Sequence, residues 1–234
     1  MAPLGLGVGF YGLGPTLRGD ATVMMAVPKS VIHWYKFNHQ IAVTGTGVGT
    51  WTDTMPAANH LQPTAQDDAD EQPALTSGGL VFFEQATDSL VFDSALALGQ
   101  FSIYFKHKFL TGQTVANNII MEGSSDFIEL ESPTEARINI GALHKITIDE
   151  IIEGTPYILG IERDGAGDIK AYKDNAVGSA AGGTSNNVAI STTCDLTQVG
   201  DPLEESYFYE IIICDEVLTA SERTALFNYL TQVG

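Results

Sequence analysis

The stretch Asp126-Phe127-Ile128-Glu129-Leu130-Glu131 is where this chain comes nearest to a hydrolytic arrangement. Read as a strand, it puts Glu129 and Glu131 on one face and Asp126 on the other, and two carboxyl groups about 5 Å apart can act as acid and nucleophile across a glycosidic bond. A second pair, Asp149 and Glu153, shares one side across the apolar Ile151. Outward, solvated carboxylates are the ordinary state of strand residues, so neither pair is taken as catalytic and no enzyme is expected. Asp67, Asp68, Asp70 and Glu71 crowd one loop, and Asp164 and Asp168 bracket a turn, but neither group has the spacing of a calcium loop. Weak calcium binding by these carboxylates is the most they offer, and no cofactor or metal is expected. His33, His39, His60, His107 and His144 lie scattered, with no cysteine nearby and no His-x-x-x-His pair. Sugar recognition asks for less, namely one or two exposed aromatic faces and a few amides on loops. Trp51 with Asn59, and Tyr172 with Asn186 and Asn187, are the candidates.

These residues sit among strands. Phe101, Ile103, Phe105, His107 and Phe109 alternate with Ser102, Tyr104, Lys106 and Lys108, a period of two that predicts aromatics inward and ammonium groups outward on a half-buried antiparallel strand. Residues 31–37, 40–43, 89–92, 118–122, 127–131, 136–140 and 145–149 read in the same style. Residues 157–163 and 169–173 flank Asp164-Gly165-Ala166-Gly167, whose glycines supply the positive φ of a short hairpin turn. Residues 178–187 read as a mobile loop ahead of 188–191. Residues 206–215 are so dense in β-branched and aromatic side chains that a strand covered on both faces is expected, too apolar for an edge. Thr219, with Glu222 three residues on, predicts a helix start, and Leu226, Tyr229, Leu230 and Val233 give that helix one apolar stripe to lay on a sheet.

With 234 residues the chain can bury a full core, and many short strands with one terminal helix predict a single all-β domain: two antiparallel sheets packed face to face as a jelly-roll sandwich over residues 28–234. Residues 1–27 differ. Gly5, Gly7, Gly9, Gly12 and Gly14 alternate with apolar side chains, which makes an isolated strand weak and a helix costly. The expectation is an arm that orders on a partner surface, burying Leu4, Leu6, Phe10, Tyr11 and Leu13. A formal charge of −18 argues against nucleic-acid and anionic-membrane partners, no apolar run is long enough to span a bilayer, and the N-terminus lacks the basic region of a secretory signal. Cys194 and Cys214 show no metal-ligand spacing, and the sequence leaves open whether they form a single bridge.

The closing run Glu210-Ile-Ile-Ile-Cys-Asp-Glu-Val-Leu-Thr-Ala-Ser-Glu-Arg-Thr-Ala-Leu-Phe-Asn-Tyr-Leu230 resembles the last strand and helix of concanavalin A-like, laminin-G-like lectin/glucanase domains, especially those of bacteriophage structural proteins. The ordered series Trp34, Val48, Trp51-Thr52-Asp53, Asn59-His60-Leu61-Gln62, Gln72-Pro73-Ala74-Leu75 and Gly79-Leu80-Val81-Phe82 is similar to the same pattern, as is the hairpin Glu162-Arg163-Asp164-Gly165 with Ile169-Lys170-Ala171-Tyr172. The resemblance implies the sandwich fold. It also implies a virion setting: a non-enzymatic capsid decoration protein, made in the host cytoplasm, able to self-associate, and anchored by its arm to the major capsid protein or another virion protein. A tail or fibre module that binds host glycans is the alternative it implies. Hydrolytic relatives carry three converging carboxylates, and the third is missing beside Glu129 and Glu131.

Overall fold

The computed structural model describes residues 30–45, 47–63, 72–77, 80–83, 88–181, 186–200 and 205–233. The segment 1–27, with Leu4, Leu6, Phe10, Tyr11 and Leu13, and the loop carrying Asp67, Asp68, Asp70 and Glu71 lie outside the described residues. The described residues form, in order, β1 Val31–Tyr35, β2 Ile41–Thr44, β3 Gly47–Trp51, β4 Leu61–Gln62, β5 Ala74–Leu75, β6 Val81–Phe83, β7 Ser89–Leu98, β8 Phe101–Phe109, β9 Asn118–Glu122, β10 Phe127–Ser132, β11 Glu135–Asn139, β12 Leu143–Thr147, β13 Tyr157–Arg163, β14 Ile169–Lys173, β15 Ala176–Val177, β16 Ser179–Ala180, β17 Cys194–Gly200, β18 Ser206–Cys214 and α1 Ala220–Gln232.

Every strand pairing among the described residues is antiparallel, as expected for strands connected by short turns. One layer runs β1 and β6 side by side along β18, then β8, β13, β14 and β15. The other runs β2, β3, β4, β7, β17, β9, β10, β11, β12 and β16. The short β5 pairs with both β3 and β6, so the two layers join along one border. Between them lies the main core, with Ile103, Phe105, Phe208, Ile211 and Ile213 of the first layer facing Leu96, Ile120, Ile128, Ile138 and Leu196 of the second. This is a jelly-roll sandwich of the lectin-like, concanavalin A type.

The helix adds a third layer. Thr219 caps it: its hydroxyl accepts from Glu222 N–H at 3.3 Å and the Glu222 carboxylate accepts from Thr219 N–H at 2.8 Å, the reciprocal pairing read from the sequence. Leu226, Phe227 and Leu230 then pack with Trp34, Tyr104, Ile158, Tyr172 and Ile212 on the outer face of the β18 layer. Replacing Thr219 with Ala leaves helix-start amides unsatisfied, and a fall of about 1 kcal/mol in unfolding free energy is expected from urea titration.

That helix corrects one sequence expectation. Ser102, Tyr104 and Lys106 of β8 were expected to face solvent, but all three are buried because α1 lies on their side of the sheet; Lys108, beyond the helix end, stays half-exposed. A bulge in β18 corrects another kind of pattern. Phe208 pairs with His107 and Glu210 with Lys106, so Tyr209 is the extra residue. The insertion turns both Tyr209 and Glu210 to the helix side and returns Ile211 to the main core. Strict alternation would have driven the Glu210 carboxylate between the sheets. There it would lose its partners, the indole N–H of Trp34 and the hydroxyl of Tyr229.

Three smaller differences follow from local chemistry. Cys194–Gly200 forms a strand although its mixed Asp, Thr and Gln content gives no clean alternation. Residues 179–180 pair with β12, where a loop was expected, and 188–191 form no strand. Cys194 and Cys214 are both free buried thiols, and burial pushes Cys214 up to about 12, far from a reactive thiolate. No helix among the described residues is long and apolar enough to cross a membrane.

Candidate functional site

The aromatic residues picked from the sequence turn out to pack the sandwich. Trp51 is fully buried, edge-on to Tyr35 at 6.0 Å, with its indole N–H donating to the Lys36 carbonyl at 3.0 Å. Asn59 is buried as well, and its amide pairs with the backbone of Ser94 in both directions, at 2.7 and 2.8 Å. Tyr172 is buried beneath α1, with the Arg223 guanidinium 4.2 Å above its ring. None of the three offers a face to a sugar. Asn187 holds the hairpin turn through Ala166 and Asp168, and Asn186 accepts the Ile169 amide through its carbonyl.

The Trp51-Thr52-Asp53 motif is likewise architectural. The Asp53 carboxylate collects the amides of Trp34, Met55 and Asn59 at 2.9 to 3.0 Å and the His33 ring at 2.7 Å. Burial alone would raise this carboxyl, but the His33 bond and the three amides outweigh it and hold the group below the usual carboxylate range. Asp164 folds its own turn, accepting the amides of Ala166 and Asp168 at 2.9 Å. Among the described residues no three His, Cys, Asp or Glu side chains gather to hold a metal ion.

The carboxylate pairs also have structural partners. Arg137 on β11 bridges Glu129, at 3.3 Å, and Glu131 on β10. Burial raises the Glu129 carboxyl, with Arg137 opposing. Glu153 accepts the Gly112 amide at 2.8 Å. Sequence reasoning missed another enclosed carboxylate, Glu162 on β13, which is 1% exposed. It takes two bonds from Arg223, at 3.2 and 2.9 Å, and one from the Tyr104 hydroxyl at 2.5 Å. Burial and the adjacent Glu162 push the Tyr104 hydroxyl well above its ordinary range, so it stays a donor.

An open site lies beside the far half of α1. A groove of about 580 Å³ runs between the helix and the β14–β15 turn, with Ile158 and Phe227 as its floor and Asp174, Asn175, Asn228 and Thr231 along its rims. Asp174 and Asn175 occupy the left-handed region at φ 48° and 71°, the backbone that a two-residue hairpin needs and that Asp and Asn tolerate best. The Asp174 carboxylate accepts the Ile158 amide at 2.9 Å and pairs with Lys173 at 2.8 Å, which fixes the turn against the floor. Lys106 closes the inner end. Its ammonium donates to the Val233 carbonyl and lies 5.1 Å from the Tyr209 ring centroid. The last turn of α1 contains no basic residue, so this lysine from the sheet supplies the positive charge that a helix C-terminus favours. The groove thus sets a few fixed polar groups over an apolar floor. Sequence reasoning missed the Asp174-Asn175 turn, although an Asp-Asn pair after a strand is a turn signal, and the helix wall opposite it could not be placed without the fold.

Past the helix end the outer face of the sheet carries more aromatic residues. Phe82 stacks on Tyr207 at 4.7 Å, and Lys108 lies 4.8 Å over the same Tyr207 ring. One step along, Phe37 stacks on Tyr209 at 6.2 Å, and the Lys106 ammonium lies 5.1 Å from the same ring; Tyr209 and Lys106 are both buried. Phe37, Phe82, Tyr207 and Lys108 are half-buried.

No family model and no curated protein matches the sequence. Solved structures do. The Trypanosoma rangeli sialidase in complex with sialic acid aligns at a TM-score of 0.58 and 12% identity, over 94% of this chain and 38% of that one. The structure described under cell entry of botulinum neurotoxin type C, dependent on two ganglioside molecules, aligns at 0.62 and 12%, over 88% and 53%. The ligand-binding domain of botulinum neurotoxin serotype D in complex with N-acetylneuraminic acid aligns at 0.56 and 11%, over 88% and 52%. The chain thus spans about half or less of the structures it matches, and at these identities the likeness establishes the fold. The expectation of no enzyme is corrected here: sialidases stand among the proteins that share this sandwich, so the fold gives no ground for excluding catalysis.

Proposed function

We propose that this chain is a carbohydrate-recognising virion protein of a bacteriophage, in which the sandwich holds glycan at the particle surface and residues 1–27 attach it to the capsid as a decoration protein. The observation that carries the recognition half is the groove beside α1, where Asp174, Asn175, Asn228 and Thr231 rim an apolar floor. Sugar rings present hydroxyl arrays over weakly apolar faces, and such a rim offers both donors and acceptors to them. Support also comes from the fold, which is shared by a domain solved with N-acetylneuraminic acid and a toxin linked to gangliosides. The virion half rests on the resemblance of the closing strand and helix to phage structural proteins and on the alternating Gly-apolar composition of residues 1–27.

A glycan array probed with the full chain tests recognition. Binding to a subset of glycans is expected, with about tenfold weaker affinity for Asn175→Ala combined with Asn228→Ala, the loss of one or two net hydrogen bonds. An array that stays dark at high protein concentration overturns it. For attachment, the full chain and a variant with Leu4, Leu6 and Phe10 changed to Ser are sedimented with purified shells. Wild type pellets and the variant stays in solution; equal pelleting overturns the role of the segment.

A further inference from the structure

We infer that the groove beside α1 takes uncharged sugar and turns away glycans that carry a carboxylate, with Asp174 as the residue that makes the choice; this rests on the carbohydrate-recognition reading of the same groove. Of the side chains that line it, only Asp174 and Lys106 carry charge, and a ligand meets the two very differently. The Asp174 side chain is 46% exposed on the rim. One of its oxygens accepts the Ile158 amide at 2.9 Å and the other pairs with the Lys173 ammonium at 2.8 Å. A carboxylate offers roughly four acceptor sites, so Asp174 keeps capacity for a ligand hydroxyl.

Lys106 is withdrawn from such a ligand. It is 7% exposed, its ammonium donates to the Val233 carbonyl and it lies 5.1 Å from the Tyr209 ring centroid. Burial draws it below the ordinary lysine range, against the opposing pull of Glu210 and Asp174. The Lys173 ammonium is paired with Asp174 and is not part of the lining, so the exposed charge among the lining side chains is the carboxylate. In a chain with 29 Asp and Glu against 11 Lys and Arg, the wider field opposes an anion as well.

The uncharged rim groups are biased the same way. Thr231 gives its hydroxyl proton to the Phe227 carbonyl at 2.8 Å, which leaves its oxygen as an acceptor. Asn175 and Asn228 are exposed, and their carboxamides both donate and accept. The rim is therefore richer in acceptors than in donors. A neutral pyranose answers it with hydroxyls that can each donate, whereas a sugar carboxylate only accepts and brings a like charge toward Asp174. The likeness to a domain solved with N-acetylneuraminic acid is one of fold, and the ligand class differs.

An array that sets neutral oligosaccharides beside their sialylated and uronic-acid counterparts tests this with the full chain, and calorimetry on the strongest hits gives affinities. Neutral members are expected to bind at least about tenfold more tightly than the acidic counterparts of the same core, and to change little between low and high salt. Asp174→Asn keeps an acceptor for the Ile158 amide and a residue type that tolerates the left-handed backbone at φ 48°. It is expected to lose about tenfold for neutral glycan and to narrow the gap to acidic ones. The wild-type ratio and its salt dependence decide the matter however well the variant folds. Acidic glycans that bind as tightly as their neutral cores, or neutral binding untouched by a folded Asp174→Asn, overturn the inference; the groove reading then stands as long as Asn175→Ala with Asn228→Ala weakens binding. A dark array removes the recognition reading and this selectivity with it.

Discussion

Acidification from pH 7 to pH 3 is expected to cost the folded protein on the order of 4 kcal/mol through His107 alone. This histidine lies near the C-terminal end of β8, wholly buried among Phe105, Phe109, Tyr157 and Phe208. Its Nδ1 meets the Tyr157 hydroxyl at 2.7 Å, and burial in that aromatic cage lowers its pKa from 6.5 to about 3. The folded value lies below the unfolded one, so the neutral ring contributes its full stability above pH 6.5. Between pH 6.5 and 3 the unfolded chain takes up a proton that the native state refuses, and stability falls by at most about 1.4 kcal/mol per pH unit. The depressed carboxyl of Asp53 acts in the same direction lower down, its contribution fading as pH drops below the ordinary carboxylate range. Urea midpoints at pH 7, 5 and 3.5 for wild type and His107→Gln separate the two. The variant retains an amide for Tyr157, is less stable at pH 7, and should show a visibly flatter profile from pH 6.5 downward. Identical slopes would remove His107 as the acid-sensitive group.

The amino-acid sequence carried the strands and the helix start because those depend on local chemistry. Thr219 and Glu222 cap a helix wherever the chain places them, and the density of Ile and aromatic residues before Cys214 demands burial on both sides. What it could not carry was which surface each face meets. Tyr104 and Lys106 look solvent-facing by alternation and are buried only because α1, more than a hundred residues later, returns to lie on them. The same is true of the proposed sugar residues. Trp51, Asn59 and Tyr172 have the right side chains, but side-chain type does not distinguish a ring that packs a sandwich from one that stands on its surface. The bulge at Tyr209 leaves no sequence mark at all, yet it sets both the inward turn of Glu210 and the row of Tyr207 and Tyr209. The groove needed two elements that meet only in the folded chain, the Asp174-Asn175 turn and the last turns of the helix.

Because one wall of that groove is α1, the contact that fastens the helix should control binding from a distance. Arg223 reaches from the first turn of α1 to Glu162, whose side chain is 2% exposed, while its own is 15% exposed and lies over Tyr172. Tyr104 joins the same carboxylate, and it can do so because position 160 is glycine: a Cβ there would stand 2.1 Å from the Tyr104 ring. Removing only the cation strands a buried carboxylate, a loss of about 3–5 kcal/mol, whereas removing both charges with side chains of similar volume is close to neutral. Arg223→Ala is therefore expected to unfold far earlier in urea than wild type, and Arg223→Met with Glu162→Gln to recover most of the difference. At temperatures where Arg223→Ala remains folded, its loosened helix should also weaken glycan binding, although Arg223 lines no part of the groove. A single variant as costly as the double one would mean that the pair adds packing and not charge complementarity. Unchanged binding in a demonstrably destabilised Arg223→Ala would mean that the helix wall is dispensable, and the ligand would then have to be held by the Asp174-Asn175 rim alone.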